Sequence, residues 1–235
     1  MKLKILFFVF LLVCSSCALD KRDIISSNFD FADIQLKHAF VEMDSVYKST
    51  DKLLANPRNI DPNGFLRMVA SHDWTSGFFP GNLWLAYQLT GDESLRESAV
   101  KFTNYLYPLR EYKGTHDIGF MMNCSYGNAL RLAPSDTIQA VLIETADNLC
   151  GRFDERIGCI RSWNFGPWNF PVIIDNMMNL DLLFNAYRLT KDMKYYNVAV
   201  RHAQTTMKNH FRPDYTSYHV VSYNSDGTVE TKCTH

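Results

Sequence analysis

The sequence predicts an all-α protein built from repeated helix hairpins, and three features support this fold class. Apolar residues recur at helical spacing over most of the chain, as in Leu36, Phe40, Met43 and Tyr47, which step by four, three and four positions. Strand-like alternation is scarce before the C-terminal tail, and one segment recurs at a fixed offset later in the chain. Helices that repeat in this way pack on one another rather than on a sheet.

The internal repeat relates residues 85–92 to residues 185–192, at an offset of 100 positions without a gap. The first copy reads Leu-Ala-Tyr-Gln-Leu-Thr-Gly-Asp and the second reads Asn-Ala-Tyr-Arg-Leu-Thr-Lys-Asp. Further helical segments are predicted near 118–132 and 137–153. The repeat therefore holds about four helices, or two hairpins of roughly 50 residues each. Such hairpins stack side by side, and each buries its apolar face against its neighbours.

Two later segments differ from ordinary amphipathic helices. The helix predicted over about 176–189 is apolar nearly all round, which indicates an inner helix. In the tail, Tyr218 to Tyr223 and Thr228 to Thr231 alternate around an Asn-Ser-Asp-Gly turn. This pattern is typical of a hairpin, so we expect a short β-hairpin near the C-terminus.

Residues 1–18 have the three parts of a secretory signal. Two lysines precede an apolar run over residues 5–13, and small residues follow as far as Ala18. The run is too short for a permanent membrane span. Cleavage after Ala18 is one outcome, and a bacterial lipobox that leaves a lipidated Cys17 is another, whereas the alternative reading is a buried N-terminal helix. We expect export to the periplasm or, as a lipoprotein, to the outer membrane of a bacterium.

Composition argues against several other classes of function. The chain carries 24 basic and 25 acidic residues, so nothing indicates a nucleic acid or a membrane surface as partner, apart from a lipid anchor. The remaining cysteines, which export would allow to form disulfides, are scattered and show no zinc-like pair. They are Cys124, Cys150, Cys159 and Cys233. No metal, phosphate loop or cofactor is predicted.

Two aspartates stand out because each precedes an apolar helix. Asp117 follows His116 in a Gly-flanked loop, and Asp175 follows an apolar run that should remove water from its carboxyl group. A desolvated carboxyl keeps its proton near neutral pH, as a general acid must. Asn176 and Asn179 extend this polar patch, which suggests a cavity mouth. Most enzymes that cleave glycosidic bonds use a pair of carboxyl groups. The alternative interpretation is that each aspartate only caps the N-terminus of its helix.

The sequence therefore predicts that Asp117 and Asp175 face one cavity, with carboxylates within about 10 Å of each other. Aromatic loops with Gly and Pro precede both repeat copies and contain Trp74 and Trp163. Sugar rings stack on indole faces of this kind, although the same residues could simply pack their loops.

Four ordered motifs resemble those of the unsaturated glucuronyl hydrolases, glycoside hydrolase family 88, and more distantly the unsaturated rhamnogalacturonyl hydrolases. They are Asp73-Trp-Thr-Ser-Gly-Phe78 with Gly81-Asn-Leu-Trp84-Leu-Ala-Tyr87, His116-Asp-Ile-Gly-Phe120, Ile173-Ile-Asp-Asn-Met-Met-Asn-Leu180 and Ser217-Tyr-His219. The resemblance covers the chain from about residue 30 onward. It implies an (α/α)6 barrel, of which residues 25–235 offer about half the hairpins. We therefore expect the N-terminal part of a larger barrel.

The resemblance also implies an activity. The substrate would be the unsaturated uronic acid at the non-reducing end of lyase-generated oligosaccharides of the glycosaminoglycan type, and hydration of the C4–C5 double bond would release it. By motif, Asp175 would be the general acid/base and Asp117 the second carboxylate. The substrate-binding residues implied are Trp74, Phe78, His116, Trp163 and His219. No cofactor is implied.

Two other classes of function fit the same residues. One is a surface glycan-binding protein without catalysis, in which both aspartates are N-caps. The other is an ordinary two-carboxylate glycosidase on the same barrel, which would cleave saturated sugars.

Overall fold

The computed structural model describes residues 21–49 and 54–234, and helices dominate it. They are α1 (Lys21–Ser49), α2 (Phe78–Thr90), α3 (Glu93–Asn104), α4 (Ile118–Met122), α5 (Asn128–Leu132), α6 (Asp136–Cys150), α7 (Leu180–Thr190) and α8 (Met193–His210). Short 3-10 helices cover Trp74–Gly77, Tyr107–Glu111 and Ile174–Asn179, and a π-helical turn at Asn123–Gly127 joins α4 to α5. The predicted all-α array of hairpins is confirmed. The predicted signal segment lies outside the described residues.

The small sheets add detail that the sequence analysis only partly anticipated. Strands pair as β1 (Asn56–Ile60) with β2 (Leu66–Val69), β3 (Phe153–Asp154) with β4 (Cys159–Ile160), and in the order β5 (Pro171–Ile173), β6 (Val220–Tyr223), β7 (Val229–Cys233). All these pairs are antiparallel. The predicted C-terminal hairpin is confirmed as β6–β7, whereas the other strands were not predicted.

The hairpin β1–β2 escaped prediction because Asn and Pro occur within β1, and both are depleted in strands. Its turn did carry a signal. The backbone N–H groups of Asn63 and Phe65 donate to Asp61 Oδ1 at 2.8 and 3.0 Å, and Gly64 adopts a φ of 87°. Asp and Gly at these positions are ordinary turn residues.

The predicted repeat is confirmed in three dimensions. The two copies form the corners between α2 and α3 and between α7 and α8. Gly91 and Lys191 both adopt left-handed conformations, with φ of 70° and 62°. Asp92 and Asp192 then cap the following helices, each accepting a hydrogen bond of 2.9 Å from the backbone N–H two residues later. Similar sequences therefore form the same kind of helix–helix corner at two places in the chain.

The segment predicted as one inner helix over 176–189 differs from the prediction. It begins as the 3-10 helix Ile174–Asn179 and becomes α-helical only in α7. One face of α7 is fully buried, but Asp181 and Arg188 are exposed on another. The helix is thus two-sided rather than apolar all round, because short apolar stretches hid its polar positions.

Two apolar clusters hold the helices together. The larger one joins α4, α6, α7 and α8 through residues such as Met121, Leu142 and Leu183, all 0% exposed. The other joins α1, α2 and α3 around Trp84, whose indole N–H donates to Thr103 Oγ1 at 3.0 Å. Packing among the helices, rather than within the sheets, therefore accounts for most of the buried apolar residues.

The approach of α4 to the turn before α7 is unusually close. A Cβ added at Gly119 would lie 2.5 Å from Asn179 Cβ and 2.7 Å from its Cα. The absence of a side chain lets the next residue, Phe120, donate its backbone N–H to Asn179 Oδ1 at 2.9 Å. This contact brings together the two segments that carry Asp117 and Asp175.

We predict that Gly91→Ala lowers the free energy of unfolding by about 1 kcal/mol, because a left-handed residue with a Cβ costs roughly 1–2 kcal/mol and the stiffer unfolded chain returns part of it. Nothing lies within 4 Å of the added Cβ, so the effect is conformational. Urea unfolding measures it. Lys191→Ala is the matched control, since it exchanges one Cβ-bearing residue for another at the same kind of corner. A loss at Lys191 equal to that at Gly91 would contradict the explanation.

We also predict that Gly119→Ala destabilises the protein by about 2 kcal/mol or more, because overpacking against backbone atoms forces the two segments apart. Thermal or urea unfolding measures the loss. Gly151→Ala serves as control, since its Cβ would meet nothing closer than 3.3 Å. Equal stability of the Gly119→Ala protein and the parent would show that the contact is not a constraint.

Candidate active site

Asp117 and Asp175 lie on either side of one buried imidazole. Asp117 directly precedes α4, and Asp175 lies in the 3-10 helix before α7. Nε2 of His116 is 3.0 Å from Asp117 Oδ1 and 3.9 Å from Asp175 Oδ1, so these two oxygens are no more than about 7 Å apart. Paired carboxyl groups of glycosidases span about 5 to 9.5 Å. The predicted proximity of the two aspartates is confirmed.

Neither aspartate acts as an ordinary helix cap. Asp117 occupies the N-cap position of α4, but its side chain makes no capping hydrogen bond. Its Oδ2 instead accepts a hydrogen bond of 2.9 Å from Thr115 Oγ1. The N-cap of the turn that contains Asp175 is Ile173. The carboxyl groups of Asp117 and Asp175 therefore do not serve as helix caps.

His116 is held from both its backbone and its ring, and its residue surface is only 1% exposed. Its backbone N–H donates to Ser162 O at 3.1 Å. Ring atom Nδ1 lies 3.1 Å from Nδ2 of Asn179, and Asn179 Oδ1 accepts from the backbone of Phe120. The imidazole is therefore fixed in place between the two helix starts.

Buried polar residues support this arrangement from behind. Nδ2 of Asn176 donates to Ile160 O at 2.7 Å, and Ser162 Oγ accepts from the backbone N–H of Ile173 at 2.9 Å. Asn176, Asn179 and Ser162 are all 0% exposed. Sequence analysis noted the two asparagines as a polar patch but did not find Ser162, since an isolated serine in a loop carries no distinguishing pattern.

The pKa values of the two carboxyl groups shift in opposite directions. Burial raises the pKa of Asp175, the charge of Asp117 raises it further, and His116 and His219 only partly oppose the shift. For Asp117, burial also raises the pKa, but the contacts with His116 and Thr115 and the charge of Arg152 outweigh it. The net pKa of Asp117 is therefore lowered. Such divergence separates a protonated acid from an ionised partner.

An aromatic group borders Asp117. Phe78 stacks on Phe120 with a centroid distance of 5.6 Å and an interplanar angle of 14°. Trp74 meets both rings edge-on, at 6.1 and 6.3 Å, and is 49% exposed. Because Phe120 belongs to α4, the helix that Asp117 begins, this group offers an accessible apolar surface beside the carboxyl pair.

Trp163 belongs to a second aromatic group. It stacks on Phe165 at 5.1 Å and lies 5.9 Å from Trp168. It follows Ser162, whose carbonyl holds the backbone of His116. The structure thus ties this loop to the site through the backbone, while its rings form a group of their own.

His219 approaches from the edge of the three-stranded sheet. Its backbone O accepts a hydrogen bond of 3.0 Å from the backbone N–H of Ile174, the residue before Asp175. A positive charge at His219 lowers the pKa of Asp175, which places the ring within electrostatic reach of that carboxyl group. His116, Asp117, Asp175 and His219 therefore come together from separate parts of the chain.

The described residues show no metal-binding cluster and no membrane-spanning helix. Between residues 21 and 49 and between 54 and 234, no group of three or more His, Cys, Asp or Glu is arranged to hold a metal ion. Cys124, Cys150, Cys159 and Cys233 are free thiols. No helix in the described part of the chain is long and apolar enough to cross a membrane.

Known proteins are similar to this chain in fold and sequence. The chain is 48% identical over 171 residues to the unsaturated glucuronyl hydrolase of Formosa agariphila, covering 71% of this chain and 43% of that protein. It is 32% identical over 171 residues to the unsaturated chondroitin disaccharide hydrolase of Streptococcus agalactiae, covering 70% and 42%. A solved unsaturated glucuronyl hydrolase specific for heparin superposes with a TM-score of 0.77 at 44% identity, covering 88% of this chain and 56% of that one.

These similarities concern part of each relative, since the chain spans less than half the length of the curated proteins it matches. No protein-family model matches the chain. The helical fold agrees with the corresponding part of the solved relative, and the four motifs that carried the resemblance fall at the site described above. The chain belongs to the unsaturated glucuronyl hydrolase family.

Proposed function

We propose that this protein removes an unsaturated uronic acid from the non-reducing end of lyase-generated oligosaccharides by hydrating the C4–C5 double bond. The observation that carries the proposal is the pair of carboxyl groups around His116 whose pKa values are driven apart. Such a pair supplies a proton and then receives one, which is what addition of water to a double bond requires.

In the proposed reaction, Asp175 acts as acid and then as base. Its burial favours the protonated carboxyl group, which donates its proton to C4 of the substrate. The resulting carboxylate accepts a proton from the water that attacks C5, so the acid is regenerated and one water is added. The hemiketal at C5 then rearranges, and the glycosidic link opens.

Asp117 serves a different role in this proposal. It stays ionised beside His116 and Thr115, so its negative charge keeps the Asp175 proton in place before reaction. An ionised carboxylate is also a strong acceptor for sugar hydroxyls. Its removal should therefore weaken both binding and proton transfer.

The surrounding residues provide a surface for the sugar. The exposed indole of Trp74, in edge contact with Phe78, suits one side of a pyranose ring. We propose His116, His219 and Trp163 as further substrate contacts. The printed names of the relatives, an enzyme specific for heparin and a chondroitin disaccharide hydrolase, support a glycosaminoglycan-type substrate.

We predict that Asp175→Asn lowers activity about a hundredfold or more, because losing a general acid/base typically costs 10²–10⁴ in rate. The assay follows lyase-generated disaccharides, whose conjugated double bond absorbs in the near ultraviolet and loses that absorbance on hydration. Asp136→Asn, at an exposed position in the first turn of α6, is the matched control and should keep the parental rate. Near-parental activity of Asp175→Asn would rule out the proposed acid.

The same variant separates catalysis from folding. The folded-state pKa of Asp175 is raised, so its ionised form costs stability above the ordinary carboxyl pKa. Asp175→Asn should therefore be more stable than the parent at neutral pH, with the gain disappearing toward acid pH.

The choice of substrate distinguishes the proposed function from the two alternative functions. Binding without absorbance loss by the parent chain would favour a glycan-binding protein, and cleavage of saturated disaccharides would favour an ordinary glycosidase.

We also propose that the protein is exported, on the basis of the signal-like pattern in residues 1–18. The mature chain should begin at a lipidated Cys17 or just after Ala18. Mass spectrometry of the protein from a bacterial host identifies the terminus. Retention of residues 1–18 in a cytoplasmic pool would contradict export, while an unmodified Leu19 terminus would exclude only the lipid.

A further inference from the structure

The side-chain amide of Asn179 has a fixed orientation. One end faces the backbone N–H of Phe120, at 2.9 Å, and a backbone N–H can only donate. That end must therefore be the carbonyl oxygen. The NH2 group consequently points at Nδ1 of His116, 3.1 Å away. Reversing the amide would set two donors against each other at Phe120 and leave a buried N–H unpaired.

The orientation of Asn179 determines the protonation of His116. An amide NH2 donates, so Nδ1 of His116 must present a lone pair. A doubly protonated ring would place an N–H against the amide N–H groups in a site that is almost fully buried. The neutral ring with its proton on Nε2 is the form in which Nδ1 can accept from Asn179.

The proton on Nε2 lies where the chemistry is proposed to occur. Nε2 is 3.0 Å from Asp117 Oδ1 and 3.9 Å from Asp175 Oδ1. Nε2 nevertheless makes no hydrogen bond to either oxygen, because the Asp117 oxygen is poorly aligned with the N–H and the Asp175 oxygen is too far away. The Asp175 oxygen is likewise buried without a hydrogen-bond partner. One donor thus stands between two acceptors without being committed to either.

We infer that Asn179 is a positioning residue that holds His116 as the neutral Nε2–H tautomer between the two carboxyl groups. The inference deepens the proposed function and rests on it for its purpose. A protonated His116 would lower the pKa of Asp175 through its charge, and the neutral ring removes that opposing effect, so the acid keeps its proton. The ring still presents one N–H near the carboxyl group of Asp175, which becomes a stronger acceptor once its proton has moved.

The packing behind Asn179 suits this role. Its Nδ2 also lies 3.4 Å from Oδ1 of Asn176, whose own amide donates to the carbonyl of Ile160. The backbone N–H of Ile160 in turn donates to Nδ1 of His202 at 3.0 Å. Asn179 is therefore held by fully buried neighbours, and its amide has no room to turn over without breaking several hydrogen bonds.

Asn179 has two roles: its oxygen holds the backbone of Phe120, and its NH2 group positions His116. One substitution separates these roles. Asn179→Asp keeps the oxygen that accepts from Phe120 and replaces only the donor that faces His116. A carboxylate beside Nδ1 favours a proton on that nitrogen. A purely structural role for Asn179 would leave the protonation of His116 unchanged in this variant.

The test is nuclear magnetic resonance of the full chain labelled with 15N in its histidine rings, at neutral pH and without substrate. Loss of one ring signal set in a His116→Gln variant assigns His116. In the unsubstituted protein we expect Nδ1 in the unprotonated chemical-shift range and Nε2 bonded to hydrogen. In Asn179→Asp we expect the Nδ1 signal to move into the protonated range.

Asn209→Asp is the matched control, because Asn209 Nδ2 donates to the hydroxyl of Tyr223, which can reverse and donate to a carboxylate. It should leave the His116 signals unchanged. A protonated Nδ1 in the unsubstituted protein would overturn the inference without any variant. An unprotonated Nδ1 in Asn179→Asp would overturn it as well. Because no substrate is needed, these outcomes are independent of whether the proposed hydration occurs.

Discussion

The close contact between Gly119 and Asn179 is the constraint on which the site depends. Asp117 precedes α4 and Asp175 lies in the 3-10 helix before α7, and side chains normally hold packed helix axes about 8–10 Å apart. Here the missing side chain lets the turn before α7 press onto the first turn of α4. The amide of Asn179 then bonds to both the α4 backbone and His116. Geometry and protonation are thus set by one residue.

The opposite pKa shifts of the two carboxyl groups follow from this geometry and not from the type of residue. Asp117 and Asp175 are chemically identical, and burial raises the pKa of both. Only Asp117 accepts from Thr115 and lies within 3.0 Å of His116. The difference in donors therefore makes one carboxyl group the ionised partner and leaves the other as the acid. Shifting either segment by an ångström would weaken that difference.

Sequence reasoning found the parts of the fold that depend on periodic patterns. The apolar spacing of the helices and the repeat of residues 85–92 at 185–192 are local signals, and the corners they predict have matching geometry. Short strands such as β5 were missed because three residues carry too little pattern, and their pairing with β6 spans a long stretch of chain. Long-range pairing depends on tertiary context that no local window contains.

The sequence predicted which residues form the site, but it did not predict the hydrogen bonds that join them. Asp117 and Asp175 could be singled out because acids are conspicuous next to apolar runs, and the motifs strengthened that choice. The role of Asn179 could not be read from its spacing, since an asparagine one turn after an acid is common on helix surfaces. Its importance arises from Phe120, 59 residues away in sequence. Buried amides of this kind show their function only through the partners that fix which end is the donor.

A partly buried polar site carries a cost in stability wherever a buried donor or acceptor is left unpaired. Leaving a buried donor or acceptor unpaired costs about 1–3 kcal/mol, and Asp175 Oδ1 and His116 Nε2 are both in that condition. The surrounding groups, by contrast, are fully paired at Asn176 and Ser162. These two unpaired atoms lie 3.9 Å apart in the site, while other buried unpaired atoms, such as His202 Nε2, lie outside it. The paired network at Asn176 and Ser162 holds the two site atoms in place where a proton is proposed to move.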